Sequence, residues 1–162
     1  MFVAFLPLLI AIPRARSGWK AFFLGWLSQT VAWLIMVPWV VRVMSHYGGL
    51  PYIVGVLLFV AMALILGLYG GLFTFIVHRL KPKALSAWLL VPLVWAAIEY
   101  LRTYFLTGFP WNLIATAIID STPLIQIDRF AGPYFVGALI VFPSAVAAWL
   151  ITAKPAGMQA TF

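Results

Sequence analysis

The apolar residues of this chain run in long unbroken stretches, with neither the period of two expected of strands nor the one-sided stripe of a soluble helix. Crossing about 30 Å of hydrocarbon takes roughly 20 consecutive apolar residues in a helix. Residues 18–41 are apolar apart from Lys20 near their start and Gln29 inside. Residues 51–77 carry no charge. Residues 84–98 run on into Glu99 and Arg102, and residues 131–152 are again uncharged. Residues 1–12 form a fifth, shorter stretch closed by Pro13 and Arg14, without the basic leader of a signal peptide. Between Leu106 and Phe130, the residues Gly108, Pro110, Asp120, Ser121, Thr122, Pro123 and Asp128 interrupt any continuous span. This segment reads as an irregular loop, which enters a membrane only where protein covers its backbone. The pattern predicts an all-α integral membrane protein with about five transmembrane helices and one irregular outer-face loop. Residues 1–152 form the helical domain and residues 153–162 a cytoplasmic tail.

Composition agrees. Of 162 residues, 65% are hydrophobic and 8% charged, against about 45–50% and about 25% in soluble domains. Eight Trp, thirteen Phe and six Tyr exclude a disordered chain. With no Cys, disulfides, thiolate nucleophiles and cysteine metal sites are excluded together. The net charge is +7, but the basic residues are scattered singly between apolar runs and make no stripe that tracks a phosphate backbone. Nucleic acid is therefore not an expected partner, whereas lipid headgroups are. If every helix alternates, Arg14, Arg16, Lys20, Arg79, Lys81, Lys83 and Lys154 fall on one side, and Arg42, Arg102 and Arg129 on the other. The excess of cations marks the cytoplasmic side. The amino terminus is then outside, the carboxyl terminus inside, and all three acids, Glu99, Asp120 and Asp128, lie outside.

Candidate chemistry is sparse. Ser45 and His46 with an Asp make a Ser-His-acid set only on paper, because adjacent residues rarely converge on one point. His46 and His78 sit at span ends beside Ser45 and Arg79. They read as interfacial histidines rather than as axial ligands of haem or a pigment. Glu99 and Arg102, three residues apart, share a helix face. Ionisable residues at membrane depth pair and mark functional cavities, and an interfacial pair holding the next loop is the other reading. Ala63, Gly67 and Gly71 form a small-residue stripe for close helix approach. Trp19, Trp26 and Trp33 recur at sevenfold spacing, which suggests a face turned to lipid or to a docking partner. Gly108 and Pro110 disfavour a continued helix, so the chain should bend there, with Phe109 and Trp111 inserted as anchors.

Residues 99–111 read Glu-Tyr-Leu-Arg-Thr-Tyr-Phe-Leu-Thr-Gly-Phe-Pro-Trp and include Glu99, Arg102, Thr107, Gly108, Phe109, Pro110 and Trp111. This string resembles the outer-face motif in the membrane domain of bacterial apolipoprotein N-acyltransferases. Trp39, followed by Tyr47, Gly48, Gly49, Leu50 and Pro51, is similar to that family's aromatic-Gly-Gly-x-Pro entry to a helix. Arg79, Lys81 and Pro82 stand where the family has a basic turn. The resemblance covers roughly residues 1–152. It implies the bacterial inner membrane and chemistry in which an acyl chain passes from phospholipid to the amino-terminal cysteine of a lipoprotein. In the family, a nitrilase-like outer domain with a Glu-Lys-Cys triad carries that chemistry through a thioester. The expectation is that this chain lacks that domain and the family's first helix. After Trp111, where relatives show a Gly-Tyr-Ser-Gln-like stretch, residues 112–118 read Asn-Leu-Ile-Ala-Thr-Ala-Ile, so a polar lining becomes mostly apolar. Two functions stay open. One is a non-catalytic scaffold or accessory subunit that binds phospholipid and docks to other integral membrane proteins. The other is the membrane half of a split or truncated acyltransferase. A haem- or pigment-binding subunit through His46 or His78 is a third reading. No metal, no catalytic residue and no cofactor beyond bound phospholipid are expected.

Overall fold

Ser17 opens the first long helix by accepting a hydrogen bond from the Lys20 amide at 3.2 Å, which satisfies one of the free donors of a helix start. The structure, a computed structural model, describes residues 3–82, 85–105 and 108–152. It is helical, with no strand among those residues. Helix α1 is Leu6–Ala11, prolonged by a 3₁₀ turn at Ile12–Arg14. Next come α2 (Gly18–Met36), α3 (Trp39–Arg42), a π-helical turn at Val43–Tyr47, α4 (Tyr52–Leu80), α5 (Leu85–Tyr104), a 3₁₀ turn at Ile114–Ile118 and α6 (Thr122–Thr152).

Prolines and left-handed residues explain where helices stop or bend. Residues 18–41 are not one straight span as the sequence pattern suggests. Pro38 lacks an amide hydrogen and restricts Val37, so α2 ends at Met36 and the chain turns by 56° into α3 and the π turn. Helix α4 follows Pro51 and ends where Lys81 takes a left-handed conformation, φ 43°, before Pro82. Helix α6 begins nine residues before the apolar run that starts at Ala131, and it is broken at Gly132, φ 77°.

Among the described residues, two helices are long and apolar enough to cross a membrane, Tyr52–Leu80 and Gln126–Thr152. The bent pair Gly18–Met36 and Trp39–Tyr47 makes a third if it is counted as one broken span. The expectation of about five also counts the short α1, and α5 with its interior Glu99 and Arg102. The tail at residues 153–162 lies outside the described residues.

Helices α2 and α4 pack along most of their length in opposite directions: Gly18 lies against Phe75, and Trp33 clusters with Phe59 and Ala63. The small-residue stripe of α4 faces this internal seam. A Cβ at Gly67 would collide with Thr30 Oγ1, and one at Gly71 would come within 2.8 Å of Phe22. The backbones are closest at Gly25 and Gly70: a Cβ on Gly25 would strike the Gly70 carbonyl, and one on Gly70 would lie 2.9 Å from that of Gly25. Two side chains tie the seam, Thr74 Oγ1 donating to Ala21 O at 2.7 Å and Trp26 Nε1 to Leu64 O at 2.9 Å.

The tryptophan row is therefore corrected. A straight helix drifts by ~20° per seven residues, and Trp19 is exposed, Trp26 is tied to α4 and Trp33 is buried. A second core joins α1, α4, α5 and α6 through Leu9, Phe73, Val91, Trp95 and Val141. Leu57, Ile65, Leu93 and Leu150 remain exposed on the outside of these helices, as a lipid-facing surface requires.

Candidate functional site

Helix α5 carries Glu99 and Arg102 on one face at its carboxyl-terminal end. Both are buried, at 3% and 5% exposure, although charged side chains are almost never buried without partners. Their closest approach, Arg102 Nη2 to Glu99 Oε1, is 3.9 Å, longer than the ~2.7–2.9 Å of a charge-assisted hydrogen bond. The short contacts go to the following loop. Arg102 Nη1 donates to the Phe109 carbonyl at 3.0 Å and to the Trp111 carbonyl at 2.7 Å. Glu99 Oε1 accepts from the Ile114 amide at 2.8 Å. The Arg102 guanidinium also lies over the Trp33 ring, 5.3 Å from its centre, which links the loop to the α2–α4 seam.

The loop is shaped to be held this way. After α5, Gly108 takes φ +70°, a conformation that glycine reaches without a side-chain clash. Its amide donates to Phe105 O at 3.0 Å, and the Phe109 amide donates to Arg102 O at 2.8 Å. The chain thus doubles back over the end of α5 through Phe109, Pro110 and Trp111. Thr107 lies outside the described residues. Phe109 packs edge-on against Trp33 at 5.6 Å. Trp111 is 56% exposed and stacks on Trp39 at 5.7 Å. Below the loop, Ile114, Ala115 and Ile118 meet Val136 and Ile140 of α6. Glu99 Oε2 faces Gly137, where an added Cβ would come within 2.7 Å.

Glu99 and Arg102 thus work as a clamp on backbone. Sequence reasoning missed the Ile114 amide, because every residue has one, and Gly137, whose lack of a side chain makes room for the carboxylate. Trp33 was noticed for its spacing, not for the cation above it.

The other candidates lie apart. Gly48 and Gly49 link the π turn to α4, Gly49 with φ 67°, and Pro51 precedes the first turn. His46 packs against Tyr47 at 4.9 Å and borders an open cavity with Arg42, Ser45 and Tyr52. The Ser45 hydroxyl donates to Val41 O at 3.0 Å and is spent on its own helix. His78, at the other end of α4, donates from Nε2 to Ala15 O at 3.1 Å. The two histidines therefore do not share a site.

A family model described as the apolipoprotein N-acyltransferase N-terminal domain matches residues 1–146. An apolipoprotein N-acyltransferase of Geobacter metallireducens is 34% identical over 144 residues, which are 89% of this chain and 27% of that protein. The enzyme of the same name from Chromobacterium violaceum is 30% identical over 139 residues, 85% of this chain and 27% of its own. That of Vibrio cholerae is 28% identical over 163 residues, 95% of this chain and 32% of its own. The chain thus spans between a quarter and a third of the length of these relatives.

Proposed function

Because the chain belongs to the apolipoprotein N-acyltransferase N-terminal domain family, we propose that these residues form a non-catalytic membrane module of that kind, a lipid-contacting scaffold or accessory unit on which other residues or chains act. The observation that carries this reading is the closed clamp. Arg102 Nη1 and Glu99 Oε1, of the two ionisable groups buried at the end of α5, are committed to the Phe109, Trp111 and Ile114 backbone, while Glu99 Oε2 is enclosed against Gly137. The sequence adds no thiol to attack an acyl ester, and a thioester route needs one. The 162-residue chain, purified and incubated with phospholipid and a lipoprotein peptide bearing an amino-terminal diacylglyceryl cysteine, should leave the peptide unacylated by mass spectrometry. Acyl transfer by the pure chain would overturn the proposal.

The match over residues 1–146 favours one second reading, that the module is the membrane half of phospholipid-dependent lipoprotein acylation. Co-expression with a nitrilase-like acyltransferase domain separates the two. Acylation that requires both chains selects the membrane-half reading, and a copurifying complex without acylation selects the scaffold.

In either case we place the module in a bacterial inner membrane with its amino terminus outside. The support is the charge asymmetry: His78, Arg79 and Lys81 end α4 on the side where Arg14 precedes α2, and cytoplasmic flanks concentrate such cations. The chain has no cysteine, so Lys81→Cys and Asp120→Cys can be read singly with an impermeant thiol reagent on intact cells. Asp120→Cys should label and Lys81→Cys should not; the opposite pattern reverses the orientation.

A further inference from the structure

A cavity of about 420 Å³ opens at the end of the bundle opposite the Glu99 clamp, where α1 and α4 end, α5 begins and α6 finishes. Its size falls within the ~300–1,000 Å³ of ordinary ligand sites. Its walls are almost wholly apolar, with Ile12, Val77, Val91, Ala145 and Ala148 buried around it. Its polar groups gather at the mouth. Lys81 is exposed there beside His78, and the hydroxyl of Thr152, the one hydroxyl among the described lining residues, is turned back onto Ala148 O at 2.7 Å. None of the chain's three acids lines it. Helices α4 and α6 end on this side with partially negative termini and α5 begins here with a partially positive one, so Lys81 supplies the full positive charge among the described lining residues.

We propose that this cavity is a binding site for an anionic phospholipid, with one acyl chain lying along the apolar wall and the headgroup phosphate against Lys81. Three observations select that occupant. The walls are lined mainly by apolar side chains, whose dispersion contacts suit an alkyl chain. The mouth lies at the end of a 29-residue apolar helix, about 43 Å long at 1.5 Å per residue, which sets it at headgroup depth. The charge at the mouth is positive, and basic pockets between membrane helices bind anionic headgroups. The site is remote from the clamp and does not depend on the acyltransferase reading.

Native mass spectrometry of the full chain in a mild detergent tests this with two probes, palmitoyl-oleoyl phosphatidylglycerol and the corresponding phosphatidylcholine. The parent should retain one phosphatidylglycerol per chain, about tenfold tighter than phosphatidylcholine, whose choline cation offsets the attraction of the same phosphate to Lys81. Lys81→Asn removes the cation yet tolerates the left-handed backbone, φ 43°. It should abolish the preference, weakening phosphatidylglycerol more than phosphatidylcholine. Ala148→Phe should fill the cavity and remove the adduct with either lipid. Lys20→Ala, an exposed cation near the same end but outside the cavity, should bind like the parent. Equal retention of both lipids by the parent, an undiminished adduct in a folded Ala148→Phe, or a Lys20→Ala loss matching that of Lys81→Asn would each overturn the site. The Lys81→Asn comparison holds even if Ala148→Phe does not fold.

Discussion

Arg102→Met should lower the unfolding midpoint in mild detergent more than any substitution on the exposed faces. The change removes the donor that holds the Phe109 and Trp111 carbonyls at 3.0 and 2.7 Å and strands the Glu99 carboxylate, 3% exposed, without its cation. Breaking a buried ion pair from one side typically costs about 3–5 kcal/mol, because the surviving charge stays buried without a counter-ion. Glu99→Ala should cost a similar amount for the mirror reason, with the added loss of the acceptor for the Ile114 amide. Adding Glu99→Gln to Arg102→Met should recover much of the loss. The amide oxygen can still accept from Ile114 and no net charge remains buried, and apolar or neutral replacement of a whole buried pair is often tolerated. The expected order of midpoints is parent, double variant, then either single variant, read by tryptophan fluorescence. A double variant as unstable as Arg102→Met alone would mean that the loop carbonyls, and not the paired charges, carry the effect. Singles that melt with the parent would reduce the clamp to a surface contact.

The clamp also shows how far the sequence reaches. Spacing alone places Glu99 and Arg102 on one face, and the glycine and proline after them demand a turn. What spacing cannot supply is their partners, because the partners are backbone atoms. The 3.9 Å separation is a consequence: each group settles toward the loop rather than toward the other. Helix positions were legible because long apolar runs have few alternatives in a chain this poor in charge. Their ends and kinks were less so. Pro38 was visible, but the 56° size of the bend at Val37 is a property of the folded chain that no residue pattern states. Periodicity misled at Trp19, Trp26 and Trp33, since three residues seven apart drift around the helix and α4 buries only the last. The acyltransferase kinship, by contrast, was readable directly from residues 99–111.

Gly25→Ala and Gly70→Ala should each destabilise the bundle strongly, although both add a single methyl group and raise helix propensity. In the stripe of Ala63, Gly67 and Gly71 the sequence displays one helix of the seam and hides the other, and the closest backbone approach falls at Gly25 and Gly70. A methyl on Gly25 meets the Gly70 carbonyl and Thr74; one on Gly70 meets the Cβ of Gln29 and the Gly25 carbonyl at 2.9 Å. None of these is the loose end of a flexible chain, so the helices must separate. Separation stretches the 2.7 Å bond from Thr74 to Ala21 O and the 2.9 Å bond from Trp26 to Leu64 O, which join helices with no hydrophobic drive to associate within lipid. Overpacking costs about 1–3 kcal/mol where side chains can yield, and these sites should reach the upper end of that range or pass it. Gly55 is the internal control. It lies on the same helix, but its added Cβ would meet nothing nearer than 3.5 Å, so Gly55→Ala should be neutral or stabilise by up to about 1 kcal/mol. Thermal unfolding of the three variants in one detergent, scored beside their monodispersity, decides the matter. If all three melt together, the α2–α4 seam yields freely and the close approach at Gly25 and Gly70 contributes nothing to the stability of the bundle.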